Sequence, residues 1–531
     1  MSTEDQNKAV VTLKKGVDVD AFIEDMVSGK NHSEFMPGRR VELFDEKPGS
    51  KRNVDFVLTR EEANNLKNDP RIVDVRYGTK IENGIILSSS AIDPGGDQLY
   101  SKTSDLTATH RNWGIPACIT TTNPFITTEL EFTHTYPLAG KGVDVVIMDS
   151  GILLNHPEWI SPTTGLTRVS QLNWPNSSGL SGTYTQSPNH YTDTDGHGTH
   201  IAGTVAGRLY GWAKEANIHA MTIIDNAAAF GISAGFNMIR GWHNLKPTGN
   251  PTVVNMSWGY GTFYNTVTSL TYRGTTYSDA STTGNASYRF SNYGLNSSSG
   301  SPFATYIANV RIASVDTDIE EMIDAGIVVC IAAGNRGTKI DVFGGLDYNN
   351  YVTTNAGIKY YHRGSSPYSD RALMVGSIDS TVYDINNDQK ATYSETGPGV
   401  SIWAPGTNIM SACSNTNAFG GQSYYLNASF KQVNISGTSM AAPQVAGVAA
   451  LALQLNPTYT PTQVKSSLVE NASDDIYTTG NTTDYSNTRS LLGSGIKMLY
   501  SSFTQAPISG GPVALVVKGG GLRITADIRM V

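Results

Sequence analysis

The sequence predicts an α/β fold, a mainly parallel sheet flanked by helices, preceded by a small α+β domain of βαββαβ order. Three observations carry this. Apolar runs at 143–148, 218–224, 252–256, 327–332 and 372–375 alternate with helical segments such as 200–207 and 319–325, as strands buried on both faces and joined by helices do. The first 90 residues hold 30 of the 84 charged residues, a compositional shift that marks a separate domain. Ser436 to Leu455 carries no charge at all and reads as a buried helix.

In chain order, the N-terminal segment reads as strand 9–14, helix 18–28, strand 40–44, strand 53–58, helix 60–67 and strand 71–76. Thr59 is placed to cap the second helix, with Glu61 and Glu62 in its first turn. The domain closes at residue 84, and 85–110, with Ser88-Ser89-Ser90 and Pro94-Gly95-Gly96, reads as an exposed linker. The main domain is expected over 111–505. Within it, 32 of the 45 residues from 261 to 305 are Ser, Thr, Gly, Asn or Tyr, which reads as a surface insertion. Residues 506–531, two apolar stretches around Gly519-Gly520-Gly521, read as a terminal hairpin.

Composition excludes several classes of function. A net charge of -8 argues against nucleic acid as a partner. Three widely spaced cysteines, Cys118, Cys330 and Cys413, do not make a disulfide framework. No membrane span is expected. Met1 to Asp20 lacks the apolar run of a secretory signal, so the expected location is the cytoplasm or a virus particle unless the start is truncated.

Four short stretches carry chemistry. Pro443 belongs in the first turn of the helix that follows Ser436-Gly437-Thr438, which sets Ser439 at the helix start, where unpaired amides favour a developing negative charge. His197, in Asp195-Gly196-His197-Gly198-Thr199-His200, is a candidate base at a helix start. Asp149 ends an apolar strand and can orient an imidazole, and the amide of Asn335, in Ala332-Ala333-Gly334-Asn335, can donate to an oxyanion. Each residue taken singly has a structural explanation: a cap, a core histidine, a paired acid or a turn. Together they are the parts of a serine nucleophile system.

These residues, in the order Asp, His, Asn, Ser, make the sequence resemble the subtilisin-like serine proteases, closest to the proteinase K-like branch, from about 112 to 492. Gly142 to Gly151, Tyr210-Gly211-Trp212-Ala213-Lys214, Asn255-Met256-Ser257-Trp258-Gly259 and Trp403-Ala404-Pro405-Gly406-Thr407 are further points of likeness. The resemblance implies a serine endopeptidase with Asp149, His197 and Ser439 as triad and Asn335 in the oxyanion site. It implies that the N-terminal domain is a propeptide, an intramolecular inhibitor that the enzyme cuts off within 80–95. Polypeptide substrates would lie along Ser257, Trp258 and Gly259 and along a second rail at Ala228, Ala229, Phe230 and Gly231. The small wall Ala332, Ala333 and Gly334 suggests a pocket for a medium or large apolar side chain. No cofactor is required for the chemistry, and Asp379 matches a calcium ligand of the proteinase K-like branch. Two rival readings are a protease acting mainly in cis within a larger assembly such as a viral particle, and an inactive binding relative.

Overall fold

The computed structural model describes the chain except for residues 1–6, 30–33, 46–49, 79–83, 88–89, 93–99, 105–108, 133–135, 225–230, 265–266, 279–305, 362, 384–386, 478–487 and 502–531. The expected C-terminal hairpin and most of the expected insertion lie outside the described residues.

A seven-stranded sheet forms the centre of the large domain. Its order is Val169–Ser170, Asn217–Thr222, Asp144–Asp149, Thr252–Met256, Val328–Ala332, Leu373–Ile378 and Ile402–Pro405, and every neighbouring pair is parallel. Strands covered on both faces must be apolar along their length, and the four from Asp144–Asp149 to Leu373–Ile378 in this order are buried at every position. The strand Asp144–Asp149 comes first of these in the chain, and the sheet then winds away from it in both directions. Such a switch point leaves a crevice at the carboxyl ends of the strands, and Asp149 stands at its rim.

Two helices that pack on the sheet begin near those strand ends, His197–Ala206 and Thr438–Leu455. The second is long and apolar enough to cross a membrane, unlike what the sequence reading expected, but it is buried among the strands as a core helix. Its packing is tight: a Cβ at Gly447 would come within 2.6 Å of Trp212 Cβ. The same helix carries a buried polar side chain. Gln444 Oε1 accepts from Trp212 Nε1 at 2.7 Å and from Asn112 Nδ2 at 3.0 Å, and its Nε2 donates to Asn112 Oδ1 at 2.9 Å. All three cysteines are buried free thiols.

The N-terminal domain has the expected order. Strands Glu42–Asp45, Asn53–Leu58, Asn7–Leu13 and Ile72–Tyr77 form an antiparallel sheet, with helices Val19–Ser28 and Arg60–Leu66 packed through Phe22, Met26, Ala63 and Leu66. Thr59 does cap the second helix: its hydroxyl accepts from Glu62 N at 3.2 Å while Glu62 Oε2 accepts from Thr59 N at 2.8 Å. The domain sits on the helix Ala313–Asp324 of the large domain. Asn53 Nδ2 donates to Asp318 Oδ1 at 3.1 Å, Ser233 Oγ holds Asp318 Oδ2 at 2.7 Å, and Lys15 pairs with Asp324 at 2.7 Å.

The stretch expected to be an exposed linker is partly strand. Gly84–Leu87 pairs antiparallel with the start of Trp258–Tyr264, and Ser90–Ile92 pairs antiparallel with the end of Asn427–Ser436. Further on, Lys102 is 1% exposed, its ammonium bound to Asp388 and set over the Trp113 ring at 4.6 Å. Burial of a charge requires such partners, and here they pin the chain to the large domain.

Replacing Gln444 by Ala removes one acceptor from the Trp212 N–H and two of the hydrogen bonds of the Asn112 amide. In a Ser439→Ala background, denaturant unfolding is expected to show a loss of about 1–3 kcal/mol.

Candidate active site

The strand Asp144–Asp149 delivers a buried carboxylate whose Oδ1 accepts from Ser150 N at 2.8 Å and lies 2.8 Å from His197 Nδ1. His197 opens its helix because Gly196, at φ 93, turns the chain in a way that favours glycine. The approach of helix to strand is close: a Cβ at Gly198 would stand 2.1 Å from Gly151 O, and one at Gly151 would stand 2.0 Å from Thr192 O. Asp193, which sequence reasoning missed, ties the pieces together. Its carboxylate accepts from Ser150 Oγ at 3.0 Å, Gly196 N at 2.8 Å and Thr199 N at 2.9 Å.

Burial alone would depress the His197 imidazolium. The Asp149 carboxylate, aided by Asp195 and Asp193, outweighs it and holds the ring above its ordinary pKa of 6.5. His156, His190, His200 and His243 go the other way, pushed down chiefly by burial, His200 to about 3. Of these five buried or half-buried rings, His197 alone is poised to carry a proton near neutrality.

Ser439 is the second residue of the helix Thr438–Leu455. Pro443 lies one turn deeper than the sequence reading placed it, inside the helix, and the reason is visible in the bonds. A proline has no N–H for the carbonyl four residues back, which here is that of Ser439. That carbonyl accepts from Ser257 Oγ at 2.9 Å instead, while Ser439 Oγ donates to Ser257 O at 3.0 Å. Among the described residues His197 Nε2 has no hydrogen-bond partner. The hydroxyl is thus turned to the rail and not hydrogen-bonded to the imidazole. Catalytic hydrogen bonds commonly tighten only when substrate is bound.

Asn335 Oδ1 accepts from both Thr438 N and Thr438 Oγ1 at 2.8 Å, which fixes the amide against the Ser439 turn. A pocket beside Ser439 is lined by Ser257, Gly259, Ala332, Gly334 and Asn335 as expected. Asn309, Arg336 and Ser365 also line it, so its wall is more polar than the sequence reading supposed. Trp258 also lines the pocket; it is 3% exposed and donates its Nε1–H to Met148 O at 2.7 Å, bracing the rail against the strand that carries Asp149. Ala333 is buried. On the second rail Gly231 caps the helix Ile232–Leu245, and Ala228, Ala229 and Phe230 lie outside the described residues.

The candidate metal ligand does not fit a cation. Asp379 Oδ2 lies 2.7 Å from Arg489 Nη1, and that guanidinium supplies the positive charge a calcium ion would bring. No cluster of metal-binding side chains occurs among the described residues.

Comparison with known proteins bears on the whole arrangement. A family model described as the subtilase family matches residues 140–495, well over half the chain. The chain belongs to the subtilase family, the subtilisin-like serine proteases. This subtilase is 28% identical over 428 residues to an extracellular serine proteinase of Thermus sp. (strain Rt41A), the match covering 80% of the chain and 72% of the relative. It is 26% identical over 447 residues to alkaline serine exoprotease A of Vibrio alginolyticus, covering 84% of the chain and 57% of that relative. Fungal relatives, such as subtilisin-like protease 2 of Pseudogymnoascus destructans, 28% identical over 333 residues, covering 62% of the chain and 56% of the relative, lend support to the proteinase K-like placement. The crystal structure of fervidolysin from Fervidobacterium pennivorans, a keratinolytic enzyme related to subtilisin, shares the subtilase fold at 18% identity and a TM-score of 0.51, over 96% of this chain and 62% of that one.

Two outcomes follow from the site. Because the His197 pKa is raised, kcat/KM is expected to fall on acidification through a midpoint above 6.5; a profile that stays flat to about pH 4 would remove the histidine from the chemistry. Asn335→Ala is expected to lower kcat by about 10² to 10³ with little change in KM, read by steady-state kinetics on a peptide substrate.

Proposed function

We propose that this subtilase is a serine endopeptidase that works through Asp149, His197 and Ser439 and processes its own N-terminal domain. The observation that carries the reading is the 2.8 Å contact of His197 Nδ1 with Asp149, beside a serine at a helix start. With Nδ1–H donated to Asp149, Nε2 is the basic nitrogen. It takes the Ser439 proton as Oγ bonds to the substrate carbonyl carbon. The oxyanion receives the Asn335 amide and the Ser439 N–H. His197 returns the proton to the leaving amine, and a water activated by the same nitrogen then frees the acyl group from Ser439.

Substrates bind as an added strand on the edge that starts at Trp258. Gly84–Leu87 lies on that edge, Leu87 opposite Trp258 and Ile86 opposite Gly259. On the far side of the nucleophile Ser90 lies opposite Ser436, three residues before Ser439. The pairing supports the N-terminal domain as an inhibitor that holds its own tail in the cleft. Chain connectivity then narrows the expected cut from 80–95 to the bonds between Leu87 and Ser90. It also favours a first turnover in cis.

The test is mass spectrometry of the purified chain with a fluorophosphonate probe, beside Ser439→Ala. A probe adduct on Ser439 and a new N-terminus at residue 88, 89 or 90, both absent from the variant, are expected. An unlabelled, uncut chain that stays inert after proteolytic removal of the N-terminal domain would refute the reading.

A further inference from the structure

Behind the wall of the substrate pocket lies a carboxyl group that the triad does not use. Glu395 is fully buried. Its backbone N–H donates to Gly334 O at 2.9 Å, and a Cβ at Gly334 would come within 2.8 Å of Glu395 Cγ, so the side chain packs directly on the back of the wall. Its Oε1 accepts from Asn309 Nδ2 at 2.8 Å and its Oε2 accepts from Thr338 Oγ1. Asn309 and Arg336 both line the pocket beside Ser439, and the Arg336 guanidinium, which burial depresses, is held up by the Glu395 charge.

We propose that Glu395 is a positioning residue for specificity: through Arg336 and Asn309 it sets the charge that the pocket presents to the substrate side chain on the acyl side of the scissile bond. This rests on the reading of the cleft given above. Ionised, Glu395 offsets Arg336 and the pocket wall is close to neutral. Protonated, it withdraws that charge from beside the guanidinium, and a carboxylate in the pocket is favoured.

The protonation that separates these states falls near neutrality. Burial raises the Glu395 carboxyl to about 7, against four groups that favour the ion: the donors Thr338 and Asn309 and the cations Arg336 and Lys390. Lys390 is itself buried and pushed down to about 7, donating to Ala391 O and Thr488 O, with Arg489 and Asp379 as its charged neighbours.

Two peptides that differ only in Glu or Gln at the acyl-side position test the proposal, by the ratio of their kcat/KM values from about pH 8.5 to about pH 6. The substrate glutamate, with an ordinary pKa of about 4.3, stays ionised across this range. Protonation of His197 slows both peptides alike and cancels in the ratio. The Glu/Gln ratio is expected to rise about three- to tenfold as the pH falls. In Glu395→Gln it should rest at the low-pH value throughout, and in Arg336→Gln at a low value throughout. The wild-type profile needs no variant, so a poorly folding Glu395→Gln does not leave the matter open. A flat ratio in the wild-type protein with both peptides cleaved overturns the proposal, and so does a slope that survives in Glu395→Gln, which would assign the titration to another group such as Lys390. If neither peptide is cleaved and the probe does not label Ser439, the protease reading fails and takes this proposal with it.

Discussion

Ser439 and Ser257 exchange two hydrogen bonds, and the arrangement of the cleft depends on that exchange. One element is a helix, the other the end of a sheet strand, and the two would ordinarily meet only through side chains. Pro443 removes the helical partner of the Ser439 carbonyl, and the Ser257 hydroxyl replaces it. Asn255 Nδ2, donating to the same hydroxyl at 2.9 Å, leaves its proton pointing at that carbonyl. The proposed nucleophile is thus fixed to the residue from which the proposed substrate-binding edge departs. Displacing either would separate the attacking oxygen from the carbonyl that the edge presents, and misplacement by an ångström is costly in rate.

The proposed base is positioned by a different device, buried carboxylates whose hydrogen bonds offset part of their desolvation. Asp193 shows the balance. Burial raises its pKa, while Thr199, Gly196 and Ser150 donate to it and pull the other way. The result is a rigid hub between the end of the Asp149 strand and the start of the His197 helix. His197 then feels Asp149, Asp195 and Asp193 together, which explains why it is raised when the neighbouring His200, bonded only to backbone carbonyls, is depressed.

The elements that position the triad were legible because each carries a local signature. The strand ending at Asp149, the glycines around His197 and the uncharged helix after Ser439 can be read from periodicity and composition alone. The N-terminal domain was legible to within two residues for the same reason, its second helix announced by Thr59 and Glu62. What the sequence did not disclose depends on distant contacts. Ser-rich 85–110 has the composition of a linker, and only pairing with Trp258 and Ser436 makes strands of it. Glu395 looks like any surface acid in Ser394-Glu395-Thr396; its burial comes from Gly334, Asn309 and Thr338, far away in the chain. Trp258 is legible at its rail position and does line the pocket, whereas its indole bond to Met148 is not visible in sequence.

The edge proposed to bind substrate is paired with the chain's own strand, and this bears on where the proposed inhibition would reside. Gly84–Leu87 faces only four residues of the rail, and each main-chain hydrogen bond is worth about 0.5–1.5 kcal/mol net. A detached strand of that size would bind weakly. What keeps it in place is the domain from which it hangs, which makes its return an intramolecular event at high effective concentration. If the chain were cut as proposed, that advantage would persist only while the N-terminal sheet stayed on Ala313–Asp324. The exposed Lys15–Asp324 pair contributes little there, because solvent and salt screen it. The buried Asn53 amide, held between Thr12 and Asp318, is the costlier contact to break, since separation strips a partner from a desolvated carboxylate. On the proposed reading, the lifetime of an inhibited state would therefore be set at this domain interface, remote from Ser439, more than by the strand paired at the cleft.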